Sequence, residues 1–439
     1  MNFGDQIDKL LGDLESLELS TVNGRITEIV GMLIKAVVPN VKIGEICLVK
    51  RDGMEALRTE VVGFTKEEVL LSPLGEMSGI GPSSEVIPTH LPLHIRVGPQ
   101  LLGRILNGLG EPLDEETKGP LILDEVYPII QPPPDPVKRM PIDKPFTTGV
   151  RAIDGVLTTG TGQRVGIFAA AGGGKSTLLG MIARNAVADV NVISLIGERG
   201  RELREFIEKD LGPEGLARSV LIVSTSDQAS QLRLNAAYVG TSIAEYFRAQ
   251  GKSVVLMMDS VTRFARALRE IGLAAGEPPA RAGYTPSVFA ILPKLLERSG
   301  NSDVGSITAF YTILVAGDDM NEPVADEVRS ILDGHIILSS ELARQYHYPA
   351  IDILSSASRV ITSITTKDHL QLIGRLREVL ANYKKNELLI KIGEYKRGAD
   401  KAGDFAIDHI DKVQKFLKQA VTEKCNYQET MQLLKSLFK

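Results

Sequence analysis

At 439 residues the chain is too long for one ordinary domain and predicts two or three. Its 43% hydrophobic and 24% charged residues are those of a globular protein, which excludes disordered and collagen-like classes. A net charge of -5 argues against nucleic-acid binding through a strongly basic surface, and the two cysteines, Cys47 and Cys425, are too few for a disulfide framework or a zinc site and fit a reducing cytosol.

No stretch approaches the ~18 consecutive apolar residues of a membrane helix, and the N-terminus lacks a basic region followed by an apolar core. Neither secretion nor membrane spanning is expected. His90 and His94 have the spacing of a helical metal pair, but Pro92 lies between them, so both are expected to be ordinary loop residues.

Residues 1–18 carry Phe3, Ile7, Leu10, Leu14 and Leu17 in a heptad-like seam flanked by Asp5, Asp8, Asp13, Glu15 and Glu18. This predicts a short amphipathic helix whose acidic flanks favour a partner helix, or packing on its own chain, over a lipid surface. From residue 19 to 90 the pattern changes to short apolar alternations punctuated by glycine, which predicts a small β-barrel. Phe64 is the only aromatic residue there, too little for a base-stacking platform, so a structural collar is the better reading. Two proline-rich segments, Pro88–Pro99 and Gln131–Pro136, bracket Gly103–Asp114 and are expected to be connections rather than elements.

Between Thr148 and about Ser355, strands and helices alternate as in βαβ units with a parallel sheet. The buried strands are expected at Val190–Leu195, Val220–Val223, Val254–Met258, Ile307–Val315 and Ile336–Leu338, all continuous apolar runs. The stretch A-A-A-G-G-G-K-S-T at 169–177 sits between the apolar run Arg164–Phe168 and a helix start, the context of a phosphate-binding P-loop. The backbone of Ala171, Gly172, Gly173 and Gly174 can close around phosphate oxygens, with Ser176 and Thr177 opening the helix. Lys175 is expected to pair with the β- and γ-phosphates of ATP, and the Ser176 hydroxyl to meet Mg²⁺. Ala169 departs from the general motif, which starts with glycine.

Val254–Asp259 is an apolar strand ending in an aspartate, which places Asp259 at the carboxyl edge of the sheet where it can hold Mg²⁺ through water. A second acidic end, G-E-R-G-R-E at 197–202, offers Glu198 and Glu202 as the group that orients and deprotonates the attacking water. Spacing alone does not choose between them.

Taken together, G-R-I-L-N-G-L-G-E-P-L-D at 103–114, A-A-G-G-G-K-S-T-L-L at 170–179, G-E-R-G-R-E at 197–202, L-M-M-D-S-V-T-R-F at 256–264 and Y-P-A-I-D at 348–352 resemble the rotary ATPase superfamily over nearly the whole chain. G-E-P-P-A-R-A-G-Y-T-P-S-V-F at 276–289, G-S-I-T-A-F-Y-T at 305–312, L-D-G-H-I-I-L-S at 332–339 and G-E-Y-K-R-G-A-D at 393–400 resemble the flagellar and type III secretion export ATPases in particular. That family's P-loop commonly lacks the first glycine, so Ala169 suits the resemblance.

The resemblance implies a RecA-like P-loop ATPase core with a parallel sheet over 91–360, preceded by the barrel and followed by a helical C-terminal domain over 361–439. It implies Glu198 as the catalytic glutamate, Tyr348 as the aromatic that stacks on adenine with Phe416 as the opposite wall, and Arg359 as the arginine that reaches a neighbouring subunit's site. Arg199 and Arg263 are implied as groups that orient phosphate or brace Glu198 and Asp259. It further implies a homo-hexamer at the cytoplasmic face of the cell membrane, with loop 276–284 facing a central coiled-coil stalk. Implied partners are a stator-like regulator on the N-terminal helix, chaperone–effector complexes and export-gate membrane proteins, with no nucleic acid.

The C-terminal part is helical by periodicity, with Leu370, Ile373, Leu376 and Leu380 on one stretch and Ile407, Ile410, Val413, Phe416 and Leu417 on another. Residues 393–400 interrupt them with Lys396 and Arg397, where the corresponding ATP-synthase segment is strongly acidic, which favours export. The alternatives are a flagellar export ATPase, a rotary ATP-synthase-type catalytic subunit, an RNA-dependent helicase, which would need a stacking platform in the barrel, and an inactive ring subunit. The presence of Lys175, Glu198, Asp259 and Arg359 disfavours the last.

Overall fold

The computed structural model describes residues 22–170, 172–315, 319–398 and 400–438. The helix expected over 1–18 lies outside them, as does Ala171 of the P-loop. The chain divides into two compact units, the first formed by the described part of Met1–Leu93 with Ala274–Gly276, the second by His94–Leu273 with Glu277–Lys439.

In the first unit, strands β1 (Gly24–Val30), β2 (Leu33–Val37), β3 (Glu45–Arg51), β4 (Met54–Phe64), β5 (Val69–Pro73) and β6 (Glu85–Pro92) close into a barrel in the order β1-β2-β5-β4-β3-β6. The period-two pattern explains the closure: along β4, Leu57, Thr59 and Val61 are buried while their neighbours are not, and they meet Ile34, Cys47, Val49, Leu71 and Val86 inside. Phe64 is half exposed at the end of β4.

The segment expected to be a proline-rich connection is partly strand. Pro88 lies in β6 opposite Cys47 of β3, and β1 pairs with β6 only at Glu85 and Val86. The missing proline N–H therefore falls where one side of the strand has no ladder to complete. His90 and His94 are correspondingly on strands β6 and β7 (His94–Val97) rather than in a loop. The left-handed backbone of His90, φ 57°, is held by its N–H donating to Oε1 of buried Glu45 at 2.9 Å. The second segment, 131–136, is irregular as expected.

The second unit contains β7, β8 (Ile105–Asn107), β9 (Glu125–Pro128), the short pair β10 (Pro145–Phe146) and β11 (Thr159–Gly160), and then β12 (Arg164–Ala169), β13 (Val190–Glu198), β14 (Ser219–Thr225) and β15 (Ser253–Asp259). The remaining strands are β16 (Gly300–Asn301), β17 (Ser306–Leu314), β18 (Gly334–Leu338) and β19 (Ala357–Ser358). The main sheet runs β19-β18-β12-β17-β15-β13-β14-β8, parallel except at β19, with β16 paired antiparallel to β17 off this path. All five apolar runs are strands of this sheet. The edge strand β8 was not foreseeable by period because it is three residues long. Asp114 holds it in place, accepting from Arg104 Nε at 2.8 Å and from the Ile105 N–H at 3.0 Å.

The helix Lys367–Lys391 buries Ile373, Leu376 and Val379, and it packs along the helix Lys401–Leu417, which buries Ile410, Val413, Phe416 and Leu417. This pair joins the core of the second unit at Gly155, where a Cβ would come within 2.8 Å of Phe416 Cζ; only glycine leaves room for that ring. Gln419 Nε2 donates to Gly149 C=O at 2.9 Å, and the Arg151 N–H donates to Gln419 Oε1 at 2.8 Å. A third helix, Tyr427–Ser436, opens with a capping box between Asn426 and Glu429. No helix of the described residues is long and apolar enough to cross a membrane.

Beneath the sheet, Arg298 is fully buried against Glu245, with Nη2 to Oε2 at 2.6 Å and Nε to Oε1 at 2.9 Å, and Nη1 donates to Ile129 C=O at 2.7 Å. Removing one partner strands a charge in the interior. Arg298→Ala is expected to destabilise the chain by about 3–5 kcal/mol in denaturant titration, with Arg298→Met plus Glu245→Leu recovering most of the loss; a loss below ~1 kcal/mol would contradict the packing described. Burial, reinforced by the nearby Lys418 charge, lowers the His347 pKa to about 4 from 6.5. The unfolded chain therefore takes up this proton first as pH falls, and stability present above pH ~6.5 is lost towards pH ~4. The drop in Tm between pH 7.5 and 5.5 should be smaller in His347→Asn than in the parent, and equal drops would argue against it.

Candidate active site

β12 delivers the P-loop to the carboxyl edge of the sheet. The turn that follows needs left-handed backbone at Gly172, φ 81°, and Gly174, φ 80°, and the helix Lys175–Asn185 starts directly after it. Backbone N–H groups at a helix N-terminus favour an anion, which is the element a phosphate requires. Ser176 is exposed on the first turn and Thr177 is half-buried beside it.

Lys175 Nζ lies 2.5 Å from Asp259 Oδ1 and 3.4 Å from Glu198 Oε1. Asp259 ends β15 and Glu198 ends β13, so three strands of one sheet edge converge on one ammonium group. Thr312 of β17, the strand between β12 and β15, donates its hydroxyl to Asp259 Oδ1 at 2.8 Å. Nothing about a threonine in an apolar run marked it beforehand.

Electrostatics follow from this burial. Desolvation disfavours the Lys175 charge, but Asp259 and Glu198 outweigh it and hold the ammonium above its ordinary pKa. For Glu198, burial and the Asp259 charge raise the carboxyl above the usual range against the pull of Lys175 and Arg263. A carboxylate raised in this way is better matched to accepting a proton near neutral pH. Arg263, on the helix Val261–Ala274, runs alongside Gly197, and its Nε is buried without a hydrogen-bond partner among the described residues.

Glu202, the competitor by spacing, is elsewhere: it accepts from Arg199 Nη1 at 3.0 Å. Arg199 itself, implied as a brace for Glu198 or a phosphate ligand, has a side chain 74% exposed and pairs with Glu202 rather than Glu198. The helix Gly200–Glu205 begins right after it, which turns Arg199 and Glu202 onto a common solvent-facing turn.

Tyr348 approaches the P-loop from the other side, with a Cβ at Gly174 falling 3.5 Å from Tyr348 Cε1. It lines a recess of about 310 Å³ with Gly172 and Arg344. It also lines a larger cavity of about 1070 Å³ with Tyr346, Phe416, Lys418 and Gln419. Phe416 shares that cavity, but its ring is mostly buried against Gly155.

Arg359 is not part of this cluster. It follows β19, whose Ser358 pairs with Gly334 at the start of β18, whereas Ala169 of β12 pairs with Leu338 at the end of β18. At ~3.3 Å per residue the four steps between Gly334 and Leu338 put Ser358 roughly 13 Å along the strands from the P-loop edge, and Arg359, one residue further, lies at their amino end. There its exposed guanidinium donates to Arg329 C=O at 3.1 Å.

Three domain families match the chain: the ATP synthase alpha/beta family β-barrel domain over residues 26–90, the nucleotide-binding domain of the same family over 149–358, and the T3SS EscN ATPase C-terminal domain over 365–436. The Type 3 secretion system ATPase of Xanthomonas euvesicatoria is 54% identical over 97% of this chain and 96% of its own length. The Flagellum-specific ATP synthase of Bacillus subtilis is 52% identical over 94% of each. The assembled ATPase EscN of the enteropathogenic E. coli type III secretion system superposes with a TM-score of 0.90 at 48% identity, covering 95% of this chain and all of that one. With its β-barrel, its P-loop sheet and its C-terminal helices each matched, the chain belongs to the type III secretion system ATPase family and is a P-loop ATPase.

Proposed function

We propose that this chain hydrolyses ATP at the carboxyl edge of its sheet to power type III protein secretion, releasing chaperone-bound substrates and unfolding them at the cytoplasmic export gate. The observation that carries the chemistry is Lys175 held between Asp259 and Glu198 directly after the P-loop. The P-loop backbone and Lys175 bind the β- and γ-phosphates. Glu198 orients a water and takes its proton as the water oxygen attacks the γ-phosphorus, and the β–γ bridging oxygen leaves with ADP. Tyr348 stacks on adenine, with Phe416 contributing an edge to the same cavity.

The donors suit magnesium, which takes hard oxygen ligands and keeps much of its water. Ser176 offers a hydroxyl and Asp259 a carboxylate, and among the described residues no group of three His, Cys, Asp or Glu side chains forms an all-protein metal cage. Bound there, Mg²⁺ supplies neutralisation of the developing phosphate charge.

Arg359 sits at the wrong edge of the sheet for its own P-loop, which supports delivery in trans to the site of a neighbouring copy. The assembled EscN, and EscN in complex with its central stalk EscO at a TM-score of 0.88, support a homo-hexameric ring around a coiled-coil stalk. Chaperone–effector complexes, export-gate membrane proteins and a stator-like regulator on residues 1–18 complete the proposed assembly at the inner face of the cell membrane. Arg397, paired with Asp408 at 3.1 Å, keeps the 393–400 segment mixed in charge, which favours export over ATP synthesis.

Glu198→Gln should lower the steady-state hydrolysis rate by about 10²–10⁴ while fluorescent-ATP affinity stays within a few fold; parental turnover would remove Glu198 as the base. Chains carrying Arg359→Ala mixed with chains carrying Lys175→Ala should recover part of the ATPase activity that each lacks alone, and no recovery at any ratio would contradict delivery in trans.

A further inference from the structure

The short helix Ser340–Arg344 ends in two backbone hydrogen bonds, Tyr346 N–H to Ala343 C=O at 3.1 Å and His347 N–H to Leu342 C=O at 3.0 Å. This pattern puts residue 346 at the position just past the helix cap, where the chain must turn left-handed and glycine is the usual occupant. Tyrosine occupies it here, at φ 55°. A Cβ in that region crowds the next carbonyl, so a bulky residue destabilises a turn that glycine would make freely.

Burial does not offset that penalty. The Tyr346 side chain is 85% exposed, while the next residue, His347, is the one that turns into the interior. Nor does the ring make any aromatic or cation contact among the described residues. The backbone beyond is anchored, since Tyr348 C=O accepts from the Gln419 N–H at 2.9 Å. An exposed aromatic is thus held in an unfavourable conformation on a fixed turn, and it lines the same cavity as Tyr348, whose ring reaches the P-loop. Strain that the fold itself does not repay points to a ligand that does.

Resting on the assignment of that cavity to the adenine, we propose that Tyr346 is a second base-binding residue, an aromatic contact for the purine at the solvent-exposed lip of the nucleotide cavity. Aromatic faces bind bases with little demand on hydrogen-bond pattern, so its contribution is to nucleotide affinity rather than to the phosphate chemistry. Tyr346 is a binding residue; the phosphate end of the nucleotide is left to Lys175 and Glu198.

The test uses the full-length chain with Tyr346→Gly, Tyr346→Phe and Tyr348→Ala, measuring calorimetric binding of ATP and of inorganic tripolyphosphate, together with Tm. Tyr346→Gly should keep or raise Tm, because the turn relaxes, yet weaken ATP about tenfold and leave tripolyphosphate unchanged; Tyr346→Phe should bind ATP like the parent. Unchanged ATP affinity in Tyr346→Gly overturns the proposal, and so does equal weakening of both ligands, which would be an effect on phosphate binding or on the fold. If Tyr348→Ala weakens ATP and Tyr346→Gly does not, the proposal alone fails. If neither does, the cavity's assignment to adenine fails with it.

Discussion

A single ammonium group compensating two carboxylates is the constraint on which the site depends. Lys175, Asp259 and Glu198 come from the P-loop helix and from strands β15 and β13, and all three are largely withdrawn from water. Strand order dictates how they meet: β17 lies between β12 and β15, so the P-loop strand and the Asp259 strand stand about 10 Å apart at ~4.8 Å per strand, a gap that the Lys175 stem and the Asp259 side chain close between them. Thr312 of the intervening strand donates to Asp259 within it. A shorter cation at 175 would leave a buried carboxylate without a counter-charge, which is far more destabilising than an exposed one.

The same arrangement gives the site its chemical asymmetry. Asp259 takes the shorter contact with Lys175 and a hydroxyl from Thr312, while Glu198 takes the longer contact and stays under the opposing influence of burial and a neighbouring negative charge. Glu198 is thereby the carboxylate whose surroundings favour taking up a proton, a property set by environment and not by residue type. The sheet also explains why the site is incomplete within one chain on the proposed reading. Arg359 is tied through β19 to the start of β18, the edge opposite to the P-loop.

Much of this was legible in the residues, and the exceptions are physical. The five buried strands declared themselves because a parallel sheet covered on both faces is apolar throughout, and the P-loop declared itself because only glycine makes that turn. Glu198 and Glu202 could not be separated by spacing, since both leave the same strand end; the helix starting at Gly200 separates them by turning Glu202 towards Arg199. The same turn carries Arg199 away from the role that family resemblance implied. The proline-rich stretch was misjudged at Pro88 because proline forbids a ladder only on the side its nitrogen faces, and β1 leaves that side open. Strand β8 and the third C-terminal helix escaped periodicity through shortness, although Asn426 and Glu429 already had the spacing of a capping box. Tyr346 carried no sequence signal, since only the backbone reveals a tyrosine where a glycine turn belongs.

On the proposed mechanism a complete hydrolytic site needs two chains, one supplying Lys175, Glu198 and Asp259 and the other Arg359. ATPase activity per chain, followed across protein concentration with the oligomeric state measured by light scattering in the same samples, tests it most directly. Activity per chain should be low for monomers and rise steeply over the concentration range in which rings assemble. Activity per chain that stays constant from monomer to ring would contradict it.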